Sequence, residues 1–216
     1  MSTEKLTQEE IDRMMSELTQ APVAASTTIS QMESDIIGEV GNISMSQAAT
    51  TLSEILGHKV HITTPQVFVK SIREVIDAAV KPKIITSIGF KKGLTGNNLL
   101  LMDAQDSVII ANLMMGGDGQ VTSSELTELE LSAVGEAMNQ MMGSSATAMA
   151  TMLGKMIDIL PPEVHLVDDK EHFNVDIGVD NLNADVCLIA FQLEVEGILQ
   201  SEIMQVFTMD AVKEIT

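Results

Sequence analysis

The chain has no tryptophan, no tyrosine and only 5 phenylalanines among its 216 residues. Base stacking needs aromatic faces, so a reader of single-stranded nucleic acid is excluded by side-chain inventory. Positive charge is also scarce: 12 Lys and Arg face 31 Asp and Glu, for a net charge of -19. A phosphate backbone or an anionic lipid surface would repel such a chain, and no nucleic-acid partner is expected. The single cysteine, Cys187, lies in the apolar run DVCLIAFQL and has no partner for a disulfide. It reads as a small buried hydrophobe in a reducing compartment. No apolar run approaches the roughly 20 residues of a membrane helix, and the polar opening MSTEKLTQEE lacks the apolar segment of a signal peptide. Direct membrane insertion is therefore not expected, and a cytoplasmic location is. What the chain does have is 45% apolar residues, enough for a substantial core, and 16 methionines to fill it with flexible thioethers.

The most informative feature is an internal repeat. DIIGEVGN (residues 35–42) returns as SAVGEAMN (residues 132–139), and Glu39 and Glu136, Asn42 and Asn139, and Pro65 and Pro162 all lie 97 positions apart. In that register Gly38, Glu39, Asn42, Met45, Ala49, Thr50, Leu56, Gly57, Ile62 and Pro65 are each identical to their counterpart, without a gap. From Asp35 to about Leu56 the apolar residues Ile37, Val40, Met45, Ala48, Leu52 and Ile55 follow helical spacing, and Gly57 suits the C-terminal cap. KVHITTP alternates as a strand, KIITSIGF and NNLLLMDA suggest a hairpin, and DSVIIANLMMGG a second helix opened by Asp106. DVCLIAFQLEVEG, LQSEIMQVFTM and DAVKEIT answer in the second half. The expectation is an α/β fold of two half-domains related by a pseudo-twofold, about 32–120 and about 125–216, sharing one sheet flanked by helices. The closing helix of the second half ends at Thr216 after about two turns, shorter than its counterpart, which suggests that the chain stops short of the natural protein.

Ahead of the repeats, LTQEEIDRMMSEL places Thr7 and Glu10 at capping-box spacing, and Leu6 and Ile11 at staple spacing. Ile11, Met14, Met15 and Leu18 form an apolar stripe. Residues 1–18 read as an amphipathic docking helix and 19–31, small and mostly uncharged, as its flexible linker to a domain at 32–216.

On a helical wheel Asp35, Glu39, Asn42 and Ser46 share one face, opposite Ile37, Val40, Ala48, Leu52 and Ile55. In the second copy Ser132, Glu136 and Asn139 take the same places, with Met138, Met141, Met149 and Met152 on the inner face. Asn is a poor helix former, and a mid-helix Asn is often kept for its side chain. Its amide can donate and accept at once, and so can hold a water in line with a phosphorus atom, while the carboxylate can pair with a partner's lysine. His58 and His61 have no acidic or cysteine partner at ligand spacing and are read as surface or packing residues; no metal site is expected.

Asp or Ser, three residues, Glu, two residues, Asn, twenty-two residues and Pro resembles the signature of the CheC, CheX and FliY phosphatases of bacterial chemotaxis, and both copies fit it. With the tethered helix in front and NNLLLMDAQDSVIIANLMMGGDG between the copies, the FliY branch is the most similar. The resemblance implies a CheC-like fold and hydrolysis of the aspartyl phosphate of the response regulator CheY. Glu39 with Asn42 and Glu136 with Asn139 become two sites, Asp35, Ser132, Pro65 and Pro162 their motif support, and Leu6, Ile11, Met14, Met15 and Leu18 the CheY-docking residues. Asn positions the attacking water and Glu contacts a CheY lysine. The resemblance further implies no cofactor of its own, with Mg2+ on the CheY substrate, and as partners phosphorylated CheY and the flagellar switch proteins FliM, FliG and FliN-like ring components. The place would be the cytoplasmic face of the flagellar basal body, and the missing part a FliN-like C-terminal domain. The alternative is a CheY-binding scaffold without hydrolysis.

Overall fold

Ser30 starts the first long helix. Its hydroxyl accepts the Glu33 backbone N–H at 3.2 Å, and the Glu33 carboxylate accepts the Ser30 N–H at 2.7 Å, so two otherwise orphaned donors are satisfied. The helix ends at Gly57, whose φ of 65° lies in the left-handed region that favours glycine. The second long helix repeats the device with Thr127, Glu130 and Gly154. Both helices run 26 residues, and their starts at 31 and 128 keep the repeat's offset (128 − 31 = 97). The cap places the first start at Gln31, four residues before Asp35 (35 − 31 = 4), so the expected linker to residue 31 overlaps the helix.

The computed structural model describes residues 28–79, 81–121, 126–167 and 181–216. The expected docking helix at 1–18 lies outside them. In chain order the elements are α1 (Gln31–Leu56), β1 (Val60–Ile62), β2 (Gln66–Ser71), α2 (Ile72–Ala78), β3 (Lys83–Lys92), β4 (Asn97–Asp103) and α3 (Ala104–Met114). The second half supplies α4 (Glu128–Leu153), β5 (Asp158–Ile159), β6 (Glu163–Val167), β7 (Asp185–Val195), β8 (Leu199–Thr208) and α5 (Met209–Ile215).

The strands form one antiparallel sheet in the order β1–β7–β8–β4–β3–β5, with β2 also on β7 and β6 also on β3. Each half thus places its first strands on the other half's hairpin: β1 and β2 on β7, β5 and β6 on β3. The pseudo-twofold runs between β4 and β8, which pair at the centre. The expected shared sheet is present, and the exchange makes it indivisible.

One face carries α1, α3, α4 and α5 over Ile84, Leu100, Ile189, Phe191 and Phe207. Met138, Met141 and Met149 are buried in this core as expected, but Met152 is 40% exposed and lines an open groove between α1 and α4. The other face carries α2, whose Ile72, Val75 and Ile76 cover Leu99, Leu101, Val186, Leu188 and Val206. Cys187 is buried on the first face, and burial pushes its thiol up to about 11.

The helix expected to open at Asp106 opens earlier, with Asp103 at its N-cap. Asp103 gives its carboxylate not to the helix but to Lys83, its cross-strand partner in the register, and to Lys81 at 3.3 Å. Burial works against the charge, but the two ammonium groups outweigh it and hold the carboxyl below its ordinary range. Asp106 accepts the Ser201 hydroxyl at 2.5 Å, tying α3 to β8.

Candidate functional site

Ile37 and Val40 fix the rotation of α1 by entering the core, at 1% and 2% exposure. That rotation leaves Asp35, Glu39 and Ser46 exposed and Asn42 half-buried. After Gly57 the chain reverses through β1 and returns Pro65 to the helix. A shallow hollow of about 280 Å³ is lined by Asp35, Glu39, Asn42, Thr64, Pro65 and neighbouring residues. The long spacing from Asn to Pro is thus a loop-closure distance: it is the chain needed to finish the helix, turn, and bring the proline back beside the amide.

Two contacts hold this arrangement. A Cβ at Gly38 would lie 3.5 Å from Val67 Cγ2, so α1 rests on β2 at ordinary van der Waals distance. The loop before Pro65 is clamped by Thr63, whose N–H donates to the Gln192 carbonyl at 3.0 Å and whose hydroxyl accepts the Gln192 N–H at 3.1 Å. Gln192 belongs to β7, so the second half braces the first site.

The second site is built likewise. Gly135 faces Val164 at 3.7 Å by the same construction, and the Leu160 N–H donates to the Gly89 carbonyl of β3 at 2.8 Å, just before Pro162. Here the first half braces the second site. The two sites rest on β2 and β6, at opposite ends of a sheet path with five spacings, which at ~4.8 Å each separates them by roughly 24 Å. The two pairs have no residue in common.

The copies differ in detail. Gln140 Nε2 donates to Glu136 Oε1 at 2.7 Å, whereas the corresponding residue after Asn42 is Ile43, 39% exposed. Asp35 accepts from Gln31 Nε2 at 2.8 Å, while the Ser132 hydroxyl turns back to the Glu128 carbonyl at 2.8 Å. Asn139 is exposed where Asn42 is half-buried. Gln140 is not among the identities between the copies, and its signal in the sequence is the four-residue spacing from Glu136. His58 and His61 are exposed. Leu6, Ile11, Met14, Met15 and Leu18 lie outside the described residues.

A carboxylate and a carboxamide one turn apart on a helix have the chemistry to recognise and orient a ligand. The amide offers a donor and an acceptor in a fixed relation, and the carboxylate offers charge to a cation.

A model of the CheC-like family matches the chain twice, over residues 32–69 and 129–166, each match holding one Glu/Asn pair and its proline. The chain is 41% identical, over its whole length, to the flagellar motor switch phosphatase FliY of Bacillus subtilis, and spans 57% of that protein's length. It is 35% identical over 81 residues to the CheY-P phosphatase CheX of Thermotoga maritima, covering 38% of this chain and 50% of that protein. Among solved structures, Thermotoga maritima FliY superposes with a TM-score of 0.80 at 42% identity, over 88% of this chain and 96% of the other. The fold also matches the crystal structure of the FliG–FliM complex from H. pylori, with a TM-score of 0.71 at 12% identity, over 87% of this chain and 98% of the other.

Proposed function

From the premise that this chain belongs to the CheC-like family, we propose that it hydrolyses the aspartyl phosphate of a CheY-like response regulator at two sites, Glu39 with Asn42 and Glu136 with Asn139. The observation that carries the reading is the twofold recurrence of one arrangement. A glutamate and an asparagine lie on the outer face of a capped helix, with a proline loop after the helix clamped to the opposite half.

The chemistry needs little more. Water attacks phosphorus, the bond from phosphorus to the aspartyl oxygen breaks, and inorganic phosphate and a carboxylate leave, with the water's proton passing to phosphate or solvent. A carboxylate with a pKa near ~4 departs without being protonated, so no general acid is required. What remains is placement of the water in line with the breaking bond, where orientation can supply up to about 7–11 kcal/mol. Asn42 and Asn139 suit that task, and Glu39 and Glu136 suit pairing with a lysine that fixes the regulator over the amide. A Mg2+ carried by the substrate would supply electrophilic charge there. The Bacillus subtilis and Thermotoga maritima relatives bear phosphatase names that support this assignment.

The test is phosphate release from phosphorylated CheY with and without the chain. Acceleration that saturates with substrate is expected. Binding of the regulator with an unchanged decay rate would reduce the chain to a scaffold. Association with FliM, FliG and ring components, and a place at the basal body, are proposed on the same footing and are open to co-purification with the switch complex.

A further inference from the structure

We propose that the two sites are unequal, with Glu39 and Asn42 forming the dominant site and Gln140 acting as a positioning residue that restrains Glu136. This rests on the reading of the Glu/Asn pairs as phosphatase sites. Gln140 stands four residues after Glu136, one turn toward the helix C-terminus, and donates to Oε1 at 2.7 Å. The carboxylate is drawn along its own helix, and a partner's ammonium must share or displace that bond. At the corresponding place in α1 stands Ile43, which has no donor, so Glu39 keeps both oxygens for the partner.

Ile43 contributes a second difference. It is 39% exposed, immediately after Asn42, and lines the groove between α1 and α4. A regulator seated on Glu39 would cover this apolar surface, while one seated on Glu136 meets an amide at the same place. Charge points the same way: Asp35 adds a second carboxylate one turn from Glu39, where the second site has Ser132 bonded to its own backbone. Loss of the four-residue hydrogen bond changes affinity by about 1.5- to 2.5-fold, and covering about a third of an isoleucine adds about 2- to 5-fold. Together they place the KM of the first site roughly 3- to 12-fold below that of the second.

Two single-site forms test this by turnover against phosphorylated CheY. Asn139→Ala leaves the first site, Asn42→Ala the second, and the first form is expected to show the lower KM. Within the Asn42→Ala form, Gln140→Ile should lower KM with kcat unchanged. Gln140→Lys, which pairs with Glu136 more strongly, should raise it. Within the Asn139→Ala form, Ile43→Gln should raise KM. Opposite shifts from two substitutions at one exposed position, at constant Tm, are not produced by a merely structural role. Equal KM values in the two single-site forms of an active protein, or a higher KM with Gln140→Ile, would overturn the ranking alone. A chain that neither binds nor dephosphorylates the regulator would overturn the phosphatase reading, and the ranking with it.

Discussion

Replacing both Asn42 and Asn139 with alanine should move activity and stability in opposite directions. Asn42 is half-buried and Asn139 exposed, each in the interior of a 26-residue helix capped at both ends. No hydrogen bond to another described residue is lost on truncation. Helix propensity then decides the sign for stability: alanine is favoured over asparagine by about 0.6 kcal/mol per site, and the sites are far enough apart to add. The double variant should gain about 1.2 kcal/mol, which for a chain of this size raises Tm by roughly 2–5 °C. Activity should fall at least 100-fold, since removing one orienting hydrogen-bond group from a reacting centre costs on the order of 2.7 kcal/mol or more. Differential scanning calorimetry and phosphate release on the same preparation read both quantities. Activity within a few-fold of the starting protein would refute the water-positioning role. A fall in Tm of several degrees would show that the asparagines hold the fold, and activity loss would then say nothing about mechanism.

Asp103→Asn should cost about 1–2 kcal/mol at pH 7, because Lys83, 12% exposed, loses its partner. The folded Asp103 carboxyl lies below its ordinary value, so its contribution is complete above the unfolded pKa near ~4 and is lost as pH falls through the folded pKa; urea midpoints of the two proteins should converge in acid and stay apart at neutrality. Deleting residues 1–27, which spares the Ser30 cap, should raise KM for phosphorylated CheY and leave kcat nearly unchanged if the stripe of Ile11, Met14, Met15 and Leu18 serves capture alone; a lower kcat at saturation would place the segment in the catalytic complex. The buried Cys187 thiol, pushed up to about 11, should resist a disulfide reagent at pH 8 in the folded protein and react fully in denaturant; fast labelling of the native chain would contradict its burial.

Much of the architecture was legible because the repeat is rigid in register. The offset between Glu39 and Glu136 also relates the ends, caps and C-terminal glycines of the two long helices. The start of α1 lies ahead of the expected Asp35 because Ser30, grouped by composition with the small, polar linker, forms a capping box with Glu33 three residues on. Asp106 has the residue type of a helix opener, but the position belongs to Asp103, whose carboxylate is engaged by Lys83 and Lys81. Met152 sits on the apolar side of the wheel, but the described elements leave it 40% exposed. Periodicity gives a direction and not a partner. Strand order was illegible for a related reason: β2 pairs with a strand more than a hundred residues away, and nothing local in Gln66–Ser71 specifies that pairing. At the site itself, the motif residues were readable and their bracing by Gln192 and Gly89 was not.

The exchange of β1 and β2 for β5 and β6 has a meaning in symmetry. Two copies of a single half, each lending its first strands to the other, would close into a twofold dimer with the same patch on both sides of its interface, and the chain has that topology with the copies joined. In a dimer of identical chains every substitution appears twice, and the two sites are bound to remain alike. Joining removes that obligation while the lent strands keep the halves inseparable. One copy could then keep isoleucine after its asparagine and the other glutamine, so that a single molecule carries two different surfaces at matched positions.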